Sequence, residues 1–164
     1  MKNSPCVVRR AKVDDAPALR AIRLEALKDT PEAYGSTYEE SLRWTSRQWR
    51  KVAKTRNYFL GECQGVVRGM ASGGYNEERP GTWWLYSMYV SPNERGTGLA
   101  QQLVDEVVAW ARSEGATELH LHVGSRSARA RSFYTKLGFV ERGDVIEMDR
   151  DPSIGLHTMV KTLV

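Results

Sequence analysis

The spacing of apolar positions changes several times along the chain, and each change marks an element. Val7, Val8 and their neighbours read as a short strand. It ends at Asp14-Asp15, a natural N-cap for a helix that turns Ala18, Leu19, Ile22, Ala26 and Leu27 inward and stops near Pro31. A second helix is expected from Thr45, with Trp49 and Val52 on one face and Arg47, Arg50, Lys51 and Lys54 mostly around the other. Tyr58 to Cys63 and Val66 to Ser72 form two strands about a Gln64-Gly65 turn, followed by a polar loop from Asn76 to Gly81.

Trp83 to Val90 is a nearly continuous apolar and aromatic run of strand length, which predicts a central strand covered on both faces. From Gly98 the period becomes helical. Leu99, Leu103, Val107 and Trp110, flanked by Val104, Val108 and Ala111, make one broad stripe that ends at Gly115. Leu119, Leu121 and Val123 then alternate as a strand, so a right-handed crossover makes it a parallel neighbour of Trp83 to Val90. A shorter helix from about Ser127 to Leu137 ends at Gly138, and Phe139-Val140 and Leu156 to Val164 close the chain as strands. The fold class is α/β, with a sheet of mixed strand direction.

Composition narrows the function classes. The 164 residues correspond to about one domain by the usual ~150-residue prior, and no linker or repeat divides residues 1–164. With 41% hydrophobic and 27% charged residues, neither disorder nor a coiled coil is expected. No apolar run approaches the ~20 residues that span a bilayer, and the start lacks a signal peptide, so the expectation is a cytoplasmic protein with no membrane partner. Cys6 and Cys63 lack metal-site or redox-motif spacing and are expected to be plain thiols in a reducing compartment. The net charge of +4 suits an anionic ligand as well as nucleic acid, but the charges form no evident stripe and no nucleic-acid recognition motif appears.

The segment from Val90 to Ala100 is a glycine-bearing loop between a buried strand and a helix. Gly96 and Gly98 let the backbone turn tightly and approach an anion, and the unpaired N–H groups of the first helical turn supply donors with a favourable dipole. It is neither a Walker loop nor the dinucleotide fingerprint, and taken alone it is equally a tight turn. One strand after the helix comes a second segment, Ser127-Ala128-Arg129-Ala130-Arg131-Ser132-Phe133-Tyr134-Thr135-Lys136-Leu137-Gly138-Phe139.

Together these segments resemble the GNAT superfamily of acyl-CoA-dependent N-acyltransferases. The family loop Arg/Gln-x-x-Gly-x-Gly/Ala is matched by Arg95-x-x-Gly98-x-Ala100, and the family's later motif is matched from Ala130 to Phe139. The order of elements is also similar, so the resemblance covers nearly the whole chain. It implies a GNAT-like mixed central sheet whose parallel central strand pair is splayed around acetyl-CoA, with helices on both faces. It further implies that the backbone of Met88, Tyr89 and Val90 pairs with the pantetheine amides, while Arg95, Gly96, Thr97, Gly98, Leu99 and Ala100 hold the pyrophosphate. An amide near the end of that strand would polarise the thioester carbonyl. Ser127 and Ala130 complete the cosubstrate site, and Tyr134 is similar to the tyrosine that protonates the departing CoA thiolate. Ser127 stands where the family usually has Asn; a weaker or water-mediated contact is expected there.

The expected reaction is acetyl transfer to a primary amine, of a small molecule or a protein N-terminus, by direct attack in a ternary complex, with no metal. Because no cysteine intermediate is involved, Cys63→Ser should stay active. The alternative is an acyl-CoA-binding sensor without transfer activity. The central strand carries no Glu or Asp, which leaves Glu25, Glu39, Glu40, Tyr86, His122 or an ordered water chain as the base. His120 and His122 share one strand face but lack a third metal ligand. Arg126, Arg129, Arg131 and Lys136 are either contacts to the adenosine 3′-phosphate or a solvated helix face, and Tyr34, Tyr38, Tyr75, Trp83 and Trp84 are divided between acceptor pocket and core. The terminal strands offer edges on which a homodimer can form.

Overall fold

The computed structural model describes residues 6–164. Eight strands form one sheet: β1 (Val7–Arg10), β2 (Asn57–Cys63), β3 (Val66–Tyr75), β4 (Trp83–Val90), β5 (Glu118–Gly124), β6 (Val140–Glu141), β7 (Ile146–Glu147) and β8 (Gly155–Thr162). The order is β1-β2-β3-β4-β5-β8-β6, with β7 also on β8. Five α-helices accompany it: α1 (Ala16–Asp29), α2 (Tyr38–Leu42), α3 (Ser46–Thr55), α4 (Leu99–Ser113) and α5 (Ala128–Lys136).

Alternation along the middle strands divides the core in two. Phe59 and Ala71 point into a cluster with Leu99, Leu103, Val107 and Trp110 of α4 and with Tyr134 and Phe139. Leu60 and Met70, their chain neighbours, point into the opposite cluster with Leu19, Ile22 and Leu27 of α1 and Trp49 and Ala53 of α3. Helices therefore cover both faces. Helix α4 lies close on the sheet because β2 offers a glycine beneath it: a Cβ on Gly61 would sit 2.6 Å from Leu99 Cδ1.

The parallel pair is the feature that positions the site. Strands β4 and β5 pair only at Trp83↔Leu119 and Trp84↔His120, and beyond these residues they diverge. On the other edge of β4, the register with β3 shifts between Met70 and Ser72, so Ser87 and Met88 oppose the single residue Ala71. Ser87 takes φ +55°, unusual for a residue with a Cβ. The strained residue is held from two sides, by Arg23 Nη1 donating to its Oγ at 3.1 Å and by a 3.1 Å hydrogen bond with the Tyr58 hydroxyl.

Two expectations need correction, and one element is additional. Cys6 and Cys63 are not free thiols; they form a disulfide. The antiparallel register Val7↔Glu62 sets them opposite each other with Cα atoms 4.3 Å apart, a proximity that a separation of 57 residues conceals. Asp15 does not cap α1 with its side chain; its carboxylate instead accepts from the Lys12 amide at 2.7 Å and pairs with Arg9 at 2.8 Å. The segment after Pro31 also holds an unforeseen short helix, α2, closed by a Thr37–Glu40 capping box.

Candidate functional site

Where β4 and β5 part, two cavities meet. The larger, 1180 Å³, runs from the junction along the outer half of β4 to the start of α4 and the exposed side of α5. The smaller, 440 Å³, lies between the separated strands under the segment around Tyr34 and Met148 to Arg150. Ala33, Tyr34, Met88, Ser127 and Tyr134 line both, so these residues mark the passage between them.

The rim of the larger cavity is built from backbone. Ser91 donates its N–H to Arg68 O on β3 at 2.7 Å, so strand alternation turns the amides of Val90 and Met88 away from β3, toward the cleft. Two carbonyls on that side already have partners: Tyr34 Oη donates to Met88 O at 2.9 Å, and Arg95 Nε donates to Val90 O at 3.1 Å. At the far end, Gly96 (φ +81°) and Gly98 (φ +91°) turn the chain into α4, and no side chain caps that helix. Its first N–H groups are left to face an anion.

Of the residues expected at the cosubstrate, Met88, Tyr89, Val90, Arg95, Gly96, Gly98, Ala100, Ser127, Ala130 and Tyr134 line the larger cavity. Leu99 and Thr97 do not. Leu99 is 1% exposed and packs down on β2, and Thr97 Oγ1 donates to the Glu94 carbonyl at 2.6 Å. Arg95 is anchored, bonding Asp29 Oδ2 at 2.7 Å, and the Tyr89 hydroxyl donates to the same oxygen at 3.0 Å. Arg126, Arg129 and Lys136 line the cavity, whereas Arg131 turns away toward His157, Ser125 O and Glu141.

Tyr134 sits at the junction, packed on Phe133 and Phe139. Among the described residues its hydroxyl has no hydrogen-bond partner. Burial pushes its pKa well above the ordinary tyrosine value, so it stays protonated. Tyr34 is pushed up to about 12 by the same cause.

The five base candidates separate clearly. Glu25 is engaged by Ser91 Oγ at 2.5 Å and Glu40 by its capping box, and neither they nor Glu39 line a cavity. Tyr86 and His122 both line the smaller one. Desolvation, then the nearby positive charge of Arg79, then His120, lowers the pKa of His122 below the ordinary histidine value. His120 and His122 both pack their rings on Trp84, with centroids 5.1 and 4.6 Å away. Of the five aromatics considered for the acceptor pocket, only Tyr34 lines it; Trp84 is buried, Tyr75 packs edge-on against Trp83, and Tyr38 packs on the α1 core.

Arg23, Met148, Asp149 and Arg150 were not foreseen at the site. Arg23 carries no signal beyond one polar position on the half-buried side of α1, and the other three lie on a return segment whose place depends on β8.

Comparison with known proteins places these features in context. The sequence profile of the Acetyltransferase (GNAT) family matches residues 19–139. Mycothiol acetyltransferase of Thermobispora bispora is 30% identical over 129 residues, covering 76% of this chain and 43% of that protein. The chain thus spans less than half of that relative. An L-methionine sulfoximine/L-methionine sulfone acetyltransferase of Pseudomonas aeruginosa is 27% identical over 146 residues, covering 84% of this chain and 82% of that protein. Among solved structures, a GCN5-related N-acetyltransferase from Kribbella flavida superimposes with TM-score 0.76 at 24% identity, covering 96% of this chain and 97% of that one. The structure of yncA from Salmonella typhimurium with its cofactor acetyl-CoA gives TM-score 0.73 at 24% identity, covering 98% and 95%. These structural likenesses concern the fold.

Proposed function

The chain belongs to the acetyltransferase (GNAT) family, and from that premise we propose that residues 1–164 act as one cytoplasmic catalytic domain that moves the acetyl group of acetyl-CoA to a primary amine. The observation that carries this reading is the unpartnered, protonated hydroxyl of Tyr134 at the passage between a long cavity with an anion-ready end and a small cavity with a titratable wall. The chain's likeness to an L-methionine sulfoximine/L-methionine sulfone acetyltransferase, and to the fold of a structure holding acetyl-CoA, supports the same assignment.

In this reading the α4 N-terminus with Gly96, Gly98 and Ala100 holds the pyrophosphate, and the cleft-facing amides of Met88 and Val90 align the pantetheine arm as an added strand. A fixed amide of β4 donates to the thioester oxygen as negative charge develops on it. His122, neutral because of its lowered pKa, takes the proton that the amine loses as nitrogen attacks the carbonyl carbon. The C–N bond forms, the C–S bond breaks, and Tyr134 gives its proton to the departing sulfur. The burial that makes Tyr134 a weaker acid also raises the proton affinity of a thiolate beside it, which keeps the two matched.

The test is thermal shift followed by thiol release. Saturating acetyl-CoA at a hundredfold over Kd adds ~2.7 kcal/mol of stability, and ATP or NADH should add none. Thiol release with an amine panel then separates an enzyme from an acyl-CoA sensor: a shift without turnover of any amine favours the sensor, and no shift with any CoA ester refutes the reading.

A further inference from the structure

The smaller cavity contains an electrostatic imbalance that acetyl-CoA alone does not answer. Arg23 and Arg150 both line it, and among the described residues neither guanidinium lies within 4.0 Å of a carboxylate. Arg23 is half-buried. Its Nη1 and Nη2 donate only to the hydroxyls of Ser87 and Ser36, at 3.1 and 2.7 Å, and it stacks 4.9 Å over the ring of Tyr34. Arg150 donates to the carbonyls of Pro31 and Tyr34, at 3.0 and 2.9 Å. These neutral partners fix the position of each guanidinium without cancelling its charge. A partly buried cation is normally paired; half-buried Arg23 has no carboxylate partner, and the exposed Arg150 is held by carbonyls against the same 440 Å³ cavity.

Resting on the acetyltransferase reading above, we infer that the acceptor is a small amine bearing a carboxylate, a free amino acid or a close analogue, whose carboxylate is received by Arg23 and Arg150. Guanidinium forks match carboxylate geometry, and charge-assisted hydrogen bonds in a partly enclosed site are stronger than neutral ones. Asp149, on the same wall, supplies a counter-charge for the acceptor's ammonium before it is deprotonated. A zwitterion thus meets both signs. A protein N-terminus does not fit this arrangement, because its first carboxyl is consumed in a peptide bond and offers the arginines no charge.

The experiment compares matched acceptors with the intact chain and acetyl-CoA. Rates of thiol release are measured for a set of amino acids that includes L-methionine sulfone, for their methyl esters, and for dipeptides with the same first residue. The free acids should exceed esters and dipeptides by at least tenfold in kcat/KM. Arg150→Gln and Arg23→Lys should each raise KM for the acid about tenfold or more and erase most of that preference, with KM for acetyl-CoA unchanged. Arg150 is exposed, so its variant folds even if one at Arg23 does not. Esters or dipeptides that equal the acids, variants that keep the preference, or a panel in which no acid turns over would each overturn the inference. Loss of the acetyl-CoA thermal shift in the parent protein is a separate result, and would refute the acetyltransferase reading instead.

Discussion

The Tyr34 hydroxyl donates to the backbone carbonyl of Met88 across 2.9 Å, joining the segment after α1 to the splayed end of β4. The bond crosses the roof of the passage between the two cavities. It fixes the lip of the cleft without using the amides that face a ligand.

Tyr34→Phe removes this donor and leaves a part-buried carbonyl unmatched. A net loss of about 1 kcal/mol is expected, which lowers the midpoint of a chain this size by roughly 2–4 °C. Differential scanning calorimetry checks it, and an unchanged midpoint would show that water replaces the hydroxyl at no cost.

Tyr134→Phe keeps the ring packing against Phe133 and Phe139 and deletes only the hydroxyl that carries the proton. The expected result is a fall in kcat of about a hundredfold or more, with the acetyl-CoA thermal shift intact. A fall in the shift with no fall in kcat would assign Tyr134 to binding instead. Because its pKa lies above the ordinary value, no alkaline loss of rate below about pH 10 is expected from this group.

His120 and His122 both have pKa values depressed by desolvation. The fold favours their neutral forms, so that part of the stability is complete above the ordinary histidine value near 6.5 and is lost as pH falls through the depressed values. Thermal midpoints should therefore decline on acidification below that range, and His122→Gln should lessen the decline. The same variant should lower kcat/KM at neutral pH at least tenfold and abolish the acid limb of the pH–rate profile that lies below 6.5. Retention of the limb would move the base elsewhere.

The Cys6–Cys63 bond closes a loop across a separation of 57 residues. Reduction, or Cys63→Ser, should cost about 2–4 kcal/mol, seen as a fall of roughly 5–15 °C in midpoint. Turnover at 25 °C should persist, since neither cysteine lines either of the two cavities of the site. The redox state in cells, read by thiol alkylation, also tests the proposed cytoplasmic location, where such bonds are rare.

Ser127→Asn places a longer amide at a position that lines both cavities and makes no side-chain cap to α5. The KM for acetyl-CoA should fall severalfold. A rise would mean that the serine leaves space the cosubstrate needs.

Periodicity revealed the elements that carry whole faces: the α4 stripe from Leu99 to Ala111 and the apolar β4 run lie where their spacing places them. Motif residues were legible in the loop and in α5 because backbone turns and a helix start need particular residues at particular spacings. Side-chain direction was less so. Thr97 and Leu99 sit inside the motif yet point to a carbonyl and to the core. Arg23, Arg150 and the Cys6–Cys63 pair escaped because each depends on contacts between distant segments, which local pattern does not encode.

The two-residue contact between β4 and β5 has a mechanical corollary. The sheet behaves as two leaves on a short spine at Trp83 and Trp84, one leaf carrying β1 to β4 and the other β5 to β8. Across the opening, the Glu32–Arg126 pair at 3.4 Å and the bonds from Arg150 to Pro31 and Tyr34 act as clasps. An arm bound along β4 would splint the leaves, lending the protein a strand it does not itself encode. Amides on both lips should then become slower to exchange together, in one cooperative unit, when the splint is in place.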